Sequence, residues 1–409
     1  MSASQPKVVI VGAGHAGGTA AASLRQQGFE GPIVLIGDEP LPPYQRPPLS
    51  KAWLKGEADE EALILKPATF YAEHDIDLRL GVRASQIDRA GRSVEIEGGG
   101  KLDFDHLILA TGARPRRLPL RGADLDGVLV LRTAADAEAL KLALGPGKRI
   151  AVVGGGYIGL EVAASARALG ADAVVIEREP RLLARTACPA LSDFFYGYHR
   201  ARGVEFVLGA NVIGFEGGGG QVRGVALDDG RLIACDVALV GVGAVTNDEL
   251  AKTAGLECSN GVVVDGASRT SDPAVFAIGD VSLRPLPIYE RMFRPESVPS
   301  ALEQAKQAAA AITGRPPPMP EVPWNWSDQY DLKMQIAGLA FDPDETLLRG
   351  DPDSGRFAVF HLKQGRVLAV EAINSPPEFM AGRQLIASGR LIAREKLADP
   401  AVSMKEVAA

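Results

Sequence analysis

Cysteine is scarce in this 409-residue sequence. Cys188, Cys235 and Cys258 lie far apart, with no CxxC pairing. That argues against a disulphide framework, a zinc site or a dithiol redox centre. Five histidines are scattered, and none falls in a metal-ligand spacing with the cysteines, so no metal is expected. No apolar run reaches the roughly 18 residues of a membrane span. The N-terminus, "MSASQPKVVIVGAG", has no basic region ahead of a removable apolar stretch, and a cytoplasmic protein is expected. Excess positive charge is missing too. The net charge of −7 gives no global attraction to nucleic acid or anionic membrane.

What is present is a repeat. Residues 7 to 17 read "KVVIVGAGHAG" and residues 149 to 159 read "RIAVVGGGYIG". Each is a short apolar strand, a GxGxxG run and an alanine-rich helical stretch. A second strand follows each, "PIVLIGDE" (32–39) and "DAVVIERE" (172–179), and later a hairpin with a closing strand (94–112 and 225–243). Strands alternating with helices imply parallel sheets. The glycine run Gly217 to Gly220 reads as a hairpin turn. "TSDPAVFAIGD" adds a further buried strand, residues 298–314 a helix, and "RPPPMPEVP" (315–323) a proline-rich linker. Beyond Trp324 the pattern changes to short antiparallel strands and then helices. The expected fold is α/β, with two Rossmann-like dinucleotide-binding domains and a C-terminal α+β domain.

The glycines carry the first chemistry. Gly12, Gly14 and Gly17, and again Gly154, Gly156 and Gly159, allow a tight turn, close approach of a pyrophosphate and close helix packing. Each motif follows a strand, opens a helix and precedes an acid at a strand end, Asp38 and Glu177. A carboxylate at Glu177 accepts hydrogen bonds from an adenosine ribose and repels a 2′-phosphate, which favours NADH over NADPH. Arg178 pulls the other way unless it is simply solvated. Two dinucleotide sites suggest one flavin and one nicotinamide nucleotide, and these residues alone leave open which is which. Gly279-Asp280 puts a carboxylate at a strand end, for a ribityl chain or for a turn. His15, in the first glycine loop, is placed to touch a cofactor or to cap the helix.

The set "GAGHAG", "GDE", "RPPLSK", "LATGARP", "GGGYIGLEVAA", "TSDPAVFAIGD" and "WNWSDQ" resembles the NADH-dependent, FAD-containing ferredoxin reductases that serve bacterial cytochromes P450 and aromatic-ring dioxygenases. The likeness runs from Lys7 to the C-terminus. "PPLSK" and "WSDQ" are its specific parts, and "RPPLSK" stands where many flavin reductases carry a redox-active cysteine pair. The resemblance implies a glutathione-reductase-like architecture. Residues 1–114 and 249–322 would bind FAD, 115–248 would bind NAD, and 323–409 would form the C-terminal domain. It implies that Gly14 to Ala16, Asp38 and Ala84 hold the adenosine half of FAD, and that Lys51, Arg132, Asp280 and Val298 line the rest. Gly154 to Gly159 and Glu177 would bind NADH, with Gly243 closing the site and Glu161 near the nicotinamide, paired with Lys51.

The implied reaction is hydride transfer from NADH to FAD, then single-electron transfer to a [2Fe–2S] ferredoxin. No iron–sulphur or haem ligand set occurs in this chain, so that cluster belongs to a partner. Trp326 would lie at the flavin edge. Trp324, two positions away, would share its strand face, and both tryptophans equally fit a purely structural role. Arg291, Arg294 and Lys306 are the candidates for docking an acidic ferredoxin. Rubredoxin or monodehydroascorbate reduction shares these motifs. A flavoprotein signalling factor would want a basic tail or targeting segment, and neither is expected from these residues.

Overall fold

The computed structural model describes residues 5–408. Its contacts divide the chain into two units: 1–45, 60–114 and 245–325, and 46–59, 115–244 and 326–409.

In the first unit, β1 (Val8–Val11) runs into α1 (His15–Gln26), followed by β2 (Ile33–Gly37), β3 (Ile76–Leu80) and β4 (His106–Leu109). The sheet is parallel. β4, β1, β2 and β3 are neighbours in that order, and Val275–Ala277 adds a strand on the β4 edge. Every β1 residue is buried, as expected for a sheet covered on both faces. α1 packs its alanines, Ala16, Ala20 and Ala21, in one core with Ala301, Ala305 and Ala308 of the helix Val298–Thr313. The hairpin residues form a separate antiparallel sheet of three strands.

The second unit repeats the plan. β5 (Arg149–Val153), α2 (Tyr157–Ala168), β6 (Asp172–Glu177), α3 (Pro189–Arg200), β7 (Val204–Leu208) and β8 (Val237–Val240) follow one another. The parallel order is β7, β6, β5, β8, with Val128–Leu129 beside β8. Gly219 and Gly220 turn the hairpin between Val212–Gly218 and Gln221–Leu227. The C-terminal region is a five-stranded antiparallel sheet that begins with β9 (Trp324–Gln329), with a helix at Pro376–Ser388. Its Met334, Phe357, Val359 and Ile373 share one core with Leu191 and Phe195 of α3. The mixed α/β fold expected from the sequence is therefore observed. Among the described residues no helix is long and apolar enough to cross a membrane.

Candidate functional site: two glycine cradles and an ion pair on a buried glutamate

Both glycine motifs adopt one geometry. The Gly12 amide donates to Ile36 O and the Gly154 amide to Ile176 O, each at 2.8 Å. Gly12 has φ +112° and Gly154 φ +113°, and an added Cβ would lie 2.2 Å from Ala110 O or 2.5 Å from Gly241 O. Only glycine fits both the dihedral and the space. Gly17 and Gly159 are closed off by the carbonyls of Gly12 and Gly154, 1.9 and 2.2 Å from an added Cβ. A Cβ on Gly14 or Gly156 would meet nothing within 4 Å. Those central glycines face open space at the start of helices with no acidic residue in the first turn. That is what a pyrophosphate on the positive end of a helix requires, so the residues present fit a dinucleotide in each cradle.

Around the first cradle, His15 is the first residue of α1, Asp38 is exposed just past β2, and Ala84 is buried. A Cβ on Gly279 would lie 3.0 Å from that of Ala16. The half-buried Asp280 thus follows directly on a residue packed against α1. Val298 opens its helix and is half-buried. Of the three docking candidates, Arg291 and Lys306 are exposed. Arg294 is not: its side chain is 11% exposed, paired with Glu296 and donating to Asp280 O at 3.3 Å.

Around the second cradle, Glu177 ends β6, and each of its carboxylate oxygens accepts from one backbone amide. Oε2 accepts from the Gly155 amide at 2.6 Å and Oε1 from the Glu179 amide at 2.9 Å. Glu177 therefore braces the glycine loop directly. Arg178 is exposed and pairs with Glu179. Gly243 has φ +108°, and its carbonyl accepts from the Arg116 amide. Arg132 is half-buried ahead of a helix capped by Thr133 and Asp136, and its carbonyl accepts from Arg46 at 2.5 Å.

Two residues past Gly159, α2 carries Glu161, 5% exposed. The segment RPPLSK reaches it. Pro47 and Pro48 start a 3-10 turn through Ser50, since proline suits a first-turn position that needs no amide donor. The turn delivers Lys51 Nζ to 2.8 Å from Glu161 Oε2 and Ser50 Oγ to 2.5 Å from the same oxygen. Lys51 Nζ also donates to Pro47 O at 3.0 Å. On the other side, Ser327 Oγ donates to Glu161 Oε1 at 2.6 Å. Ser327 and Gln329 are buried on one face of β9, while Trp324 and Trp326 alternate with them and are half-buried. The sequence reading missed Ser50, Ser327 and Gln329. The period-2 alternation that put both tryptophans on one face also dictated that Ser327 and Gln329 share the other.

Folding also gathers Cys188, His361 and Glu371, a grouping that sequence spacing did not reveal. Glu371 accepts from the Cys188 amide through both oxygens at 3.1 Å and pairs with His361 Nε2 at 2.9 Å. Burial and the neighbouring Glu371 push the Cys188 thiol up to about 12. A thiol so held is a poor nucleophile and a poor metal ligand. Cys235 is buried as well, and the three free cysteines form no dithiol.

Two glycine-cradled parallel sheets, each ready for a dinucleotide, define an oxidoreductase of the two-nucleotide class. The chain belongs to the pyridine nucleotide-disulphide oxidoreductase family, which it matches over residues 6–305. Residues 324–408 match the reductase C-terminal family. It is 54% identical to the "Probable ferredoxin reductase CtmF" of Castellaniella defragrans over 98% of each chain. It is 43% identical to rhodocoxin reductase of Rhodococcus erythropolis, over 97% of this chain and 93% of that protein. Among solved structures, the covalent putidaredoxin reductase–putidaredoxin complex matches with a TM-score of 0.97 and 39% identity, covering 99% of this chain and 98% of that one.

Proposed function

We propose that this chain is an FAD-dependent NADH:ferredoxin reductase, which takes hydride from NADH and delivers electrons singly to a [2Fe–2S] ferredoxin of a cytochrome P450 or Rieske-type oxygenase. The observation that carries this reading is the ion pair of Lys51 with the buried Glu161 beside the second glycine cradle, in a chain without a dithiol. FAD, when bound, supplies acceptance of a hydride and release of its two electrons one at a time. The rest falls to the chain. Gly14, His15, Ala16, Asp38 and Ala84 hold the adenosine half of FAD, in the turn that Gly12 and Gly17 allow, and Lys51, Arg132, Asp280 and Val298 line the remainder. Gly154, Gly156, Gly159, Glu177 and Gly243 hold NADH.

Glu177 keeps the second loop rigid and leaves a negative charge that disfavours a 2′-phosphate. Glu161 orients Lys51, and a cation held by a buried carboxylate stabilises negative charge that develops beside it. Trp326 lies at the flavin edge. The domain assignment is 1–114 with 249–322 for FAD, 115–248 for NAD and 323–409 for the C-terminal domain, in a cytoplasmic protein. Ferredoxin docks through Arg291 and Lys306. Arg294, tied to Glu296 and to Asp280 O, contributes less.

A coupled assay tests the reading: the yellow protein, NADH, a panel of [2Fe–2S] ferredoxins, and cytochrome c as final acceptor. Cytochrome c reduction that depends on both NADH and one of the ferredoxins is expected. Failure with every ferredoxin, alongside brisk rubredoxin or quinone reduction, would overturn it.

A further inference from the structure

Glu161 is the end of a longer chain of hydrogen bonds, and that chain has a direction. A carboxylate only accepts, so its Oε1 takes the Ser327 hydroxyl proton. With that proton used, Ser327 Oγ accepts from the Gln329 amide nitrogen, 3.0 Å away. Gln329 Oε1 then faces His199 Nε2 at 2.7 Å, so Nε2 carries a hydrogen. Counting back from the carboxylate fixes every proton. The other ring nitrogen of His199, Nδ1, is buried with no hydrogen-bond partner, as suits the lone pair of a neutral imidazole. His199 is 0% exposed, and Gln329 and Ser327 are 1%, too deep for bulk water to compete.

We propose that Ser327, Gln329 and His199 are positioning residues for Glu161. The relay grips Oε1 from one side while Ser50 and Lys51 grip Oε2 from the other, so the carboxylate is held in one orientation on α2. Packing supports a donor at the far end that is neutral at neutral pH. The His199 ring lies among Phe195, Phe206 and Tyr330. The charged groups near it are Arg202, stacked 3.5 Å over the Tyr198 ring, and Asp331, which pairs with Arg202. Burial lowers the His199 pKa to about 4, against the opposing bond to Gln329 and with Arg202 adding to the fall. The inference rests on the reading of Glu161 and Lys51 given above.

Two measurements test it. In the full-length protein with 15N-labelled histidine, His199, assigned with a His199→Gln variant, should be the neutral Nε2–H tautomer at neutral pH. An Nδ1–H tautomer overturns the relay whether or not NADH reduces the flavin. In rapid mixing with NADH, Gln329→Met and Ser327→Ala should slow the limiting rate of flavin reduction about tenfold, because the carboxylate is misplaced rather than lost. NADH affinity should hold within about twofold, since the groups that bind substrate are untouched. Gln329→Glu should slow it at least as much, because the new carboxylate competes for the single Ser327 proton. Ser327→Thr, which keeps the hydroxyl, should restore the rate.

A Gln329→Met protein with unchanged melting and a wild-type rate overturns the positioning role. If that variant fails to fold, equal rates for Ser327→Ala and Ser327→Thr overturn it instead. A wild-type flavin that NADH never bleaches sinks the reductase reading, and the histidine spectrum still decides the relay.

Discussion

Through the third glycine the two dinucleotide units share one geometry: a carbonyl close behind Gly12 and Gly154, the same closure of Gly17 and Gly159, the same open space at Gly14 and Gly156. Two residues later they part. The first copy has the half-buried Thr19, and the second has the buried Glu161 with three side-chain donors on it. They differ again at the strand-end acid. Asp38 stands exposed, whereas Glu177 is bound by two backbone amides. The shared part is what any dinucleotide requires. On the proposed function, the difference separates a cradle that only holds its cofactor from one that also has to orient a substrate for reaction.

The largest effect should come from breaking the shared part. Gly12→Ala and Gly154→Ala each force a side chain to a positive φ, which costs roughly 1–3 kcal/mol in strain alone, and each drives a Cβ into a backbone carbonyl. The consequences should diverge. Gly12→Ala should purify without bound FAD, colourless and less stable. Gly154→Ala should remain yellow but resist bleaching by NADH. Visible spectra before and after NADH addition give the answer. A colourless Gly154→Ala protein would show that the two copies had been assigned the wrong way round.

Next in size is the position where the copies differ. Lys51→Met should slow flavin reduction by NADH by about tenfold to a hundredfold, the range seen when a preorganised charge is removed, with FAD still bound. Thr19→Val, at the equivalent of Glu161 in the first copy, should stay within about twofold, as a change away from special contacts does. Stopped-flow reduction compares them directly. An unchanged rate for Lys51→Met would demote that lysine to a structural residue.

The shared skeleton was legible in the sequence because it is local: an apolar run, a glycine turn, an alanine-rich helix. Two-sided burial makes such strands continuous apolar runs, and the positive φ at Gly12 and Gly154 demands glycine. The distinguishing parts are not local. Pairing of Lys51 with Glu161 came from the resemblance, since nothing between residues 51 and 161 encodes their meeting. Ser327 and Gln329 could be placed on one strand face by alternation, but their line to His199 depends on how the C-terminal sheet packs on α3. Arg294 reads as a docking cation in sequence, and folding leaves it half-buried, paired with Glu296 and bonded to Asp280 O. The Val128–Leu129 strand was missed because two residues carry no periodicity.

Acid should separate the units further. Buried His199, held neutral to about 4, gains a proton only on unfolding, where its pKa returns to about 6.5. The unfolded chain therefore binds the extra proton between those two values. Stability is complete above about 6.5, falls as pH drops toward about 4, and loses on the order of 3 kcal/mol from this group. In the first unit His106 is also lowered, by burial and by Arg92 and Arg269 against the pull of Asp105, but it is only half-buried and should matter less. Hydrogen exchange at neutral and mildly acidic pH should show the α3 region loosening first. His199→Gln should remove that pH dependence, and an unaltered acid response in this variant would exclude His199 as its source.

The smallest effect concerns the surface of the first unit. Arg291 and Lys306 are exposed, so charge reversal at either leaves the cradle intact and acts through the approach of an acidic partner. Ferredoxin reduction should fall about threefold to tenfold at low salt and recover as salt shortens the reach of these charges to about 8–10 Å. NADH oxidation with a small artificial acceptor should not change. Arg294→Glu should behave differently. It breaks the bond to Asp280 O and leaves Glu296 facing a like charge, so loosened flavin should accompany any loss of ferredoxin reduction. Flavin retained on a filter, measured with ferredoxin turnover across a salt series, separates the two. If Arg294→Glu keeps its flavin and loses only the salt-dependent rate, Arg294 belongs with the docking surface. If neither Arg291→Glu nor Lys306→Glu alters that rate, the ferredoxin binds elsewhere.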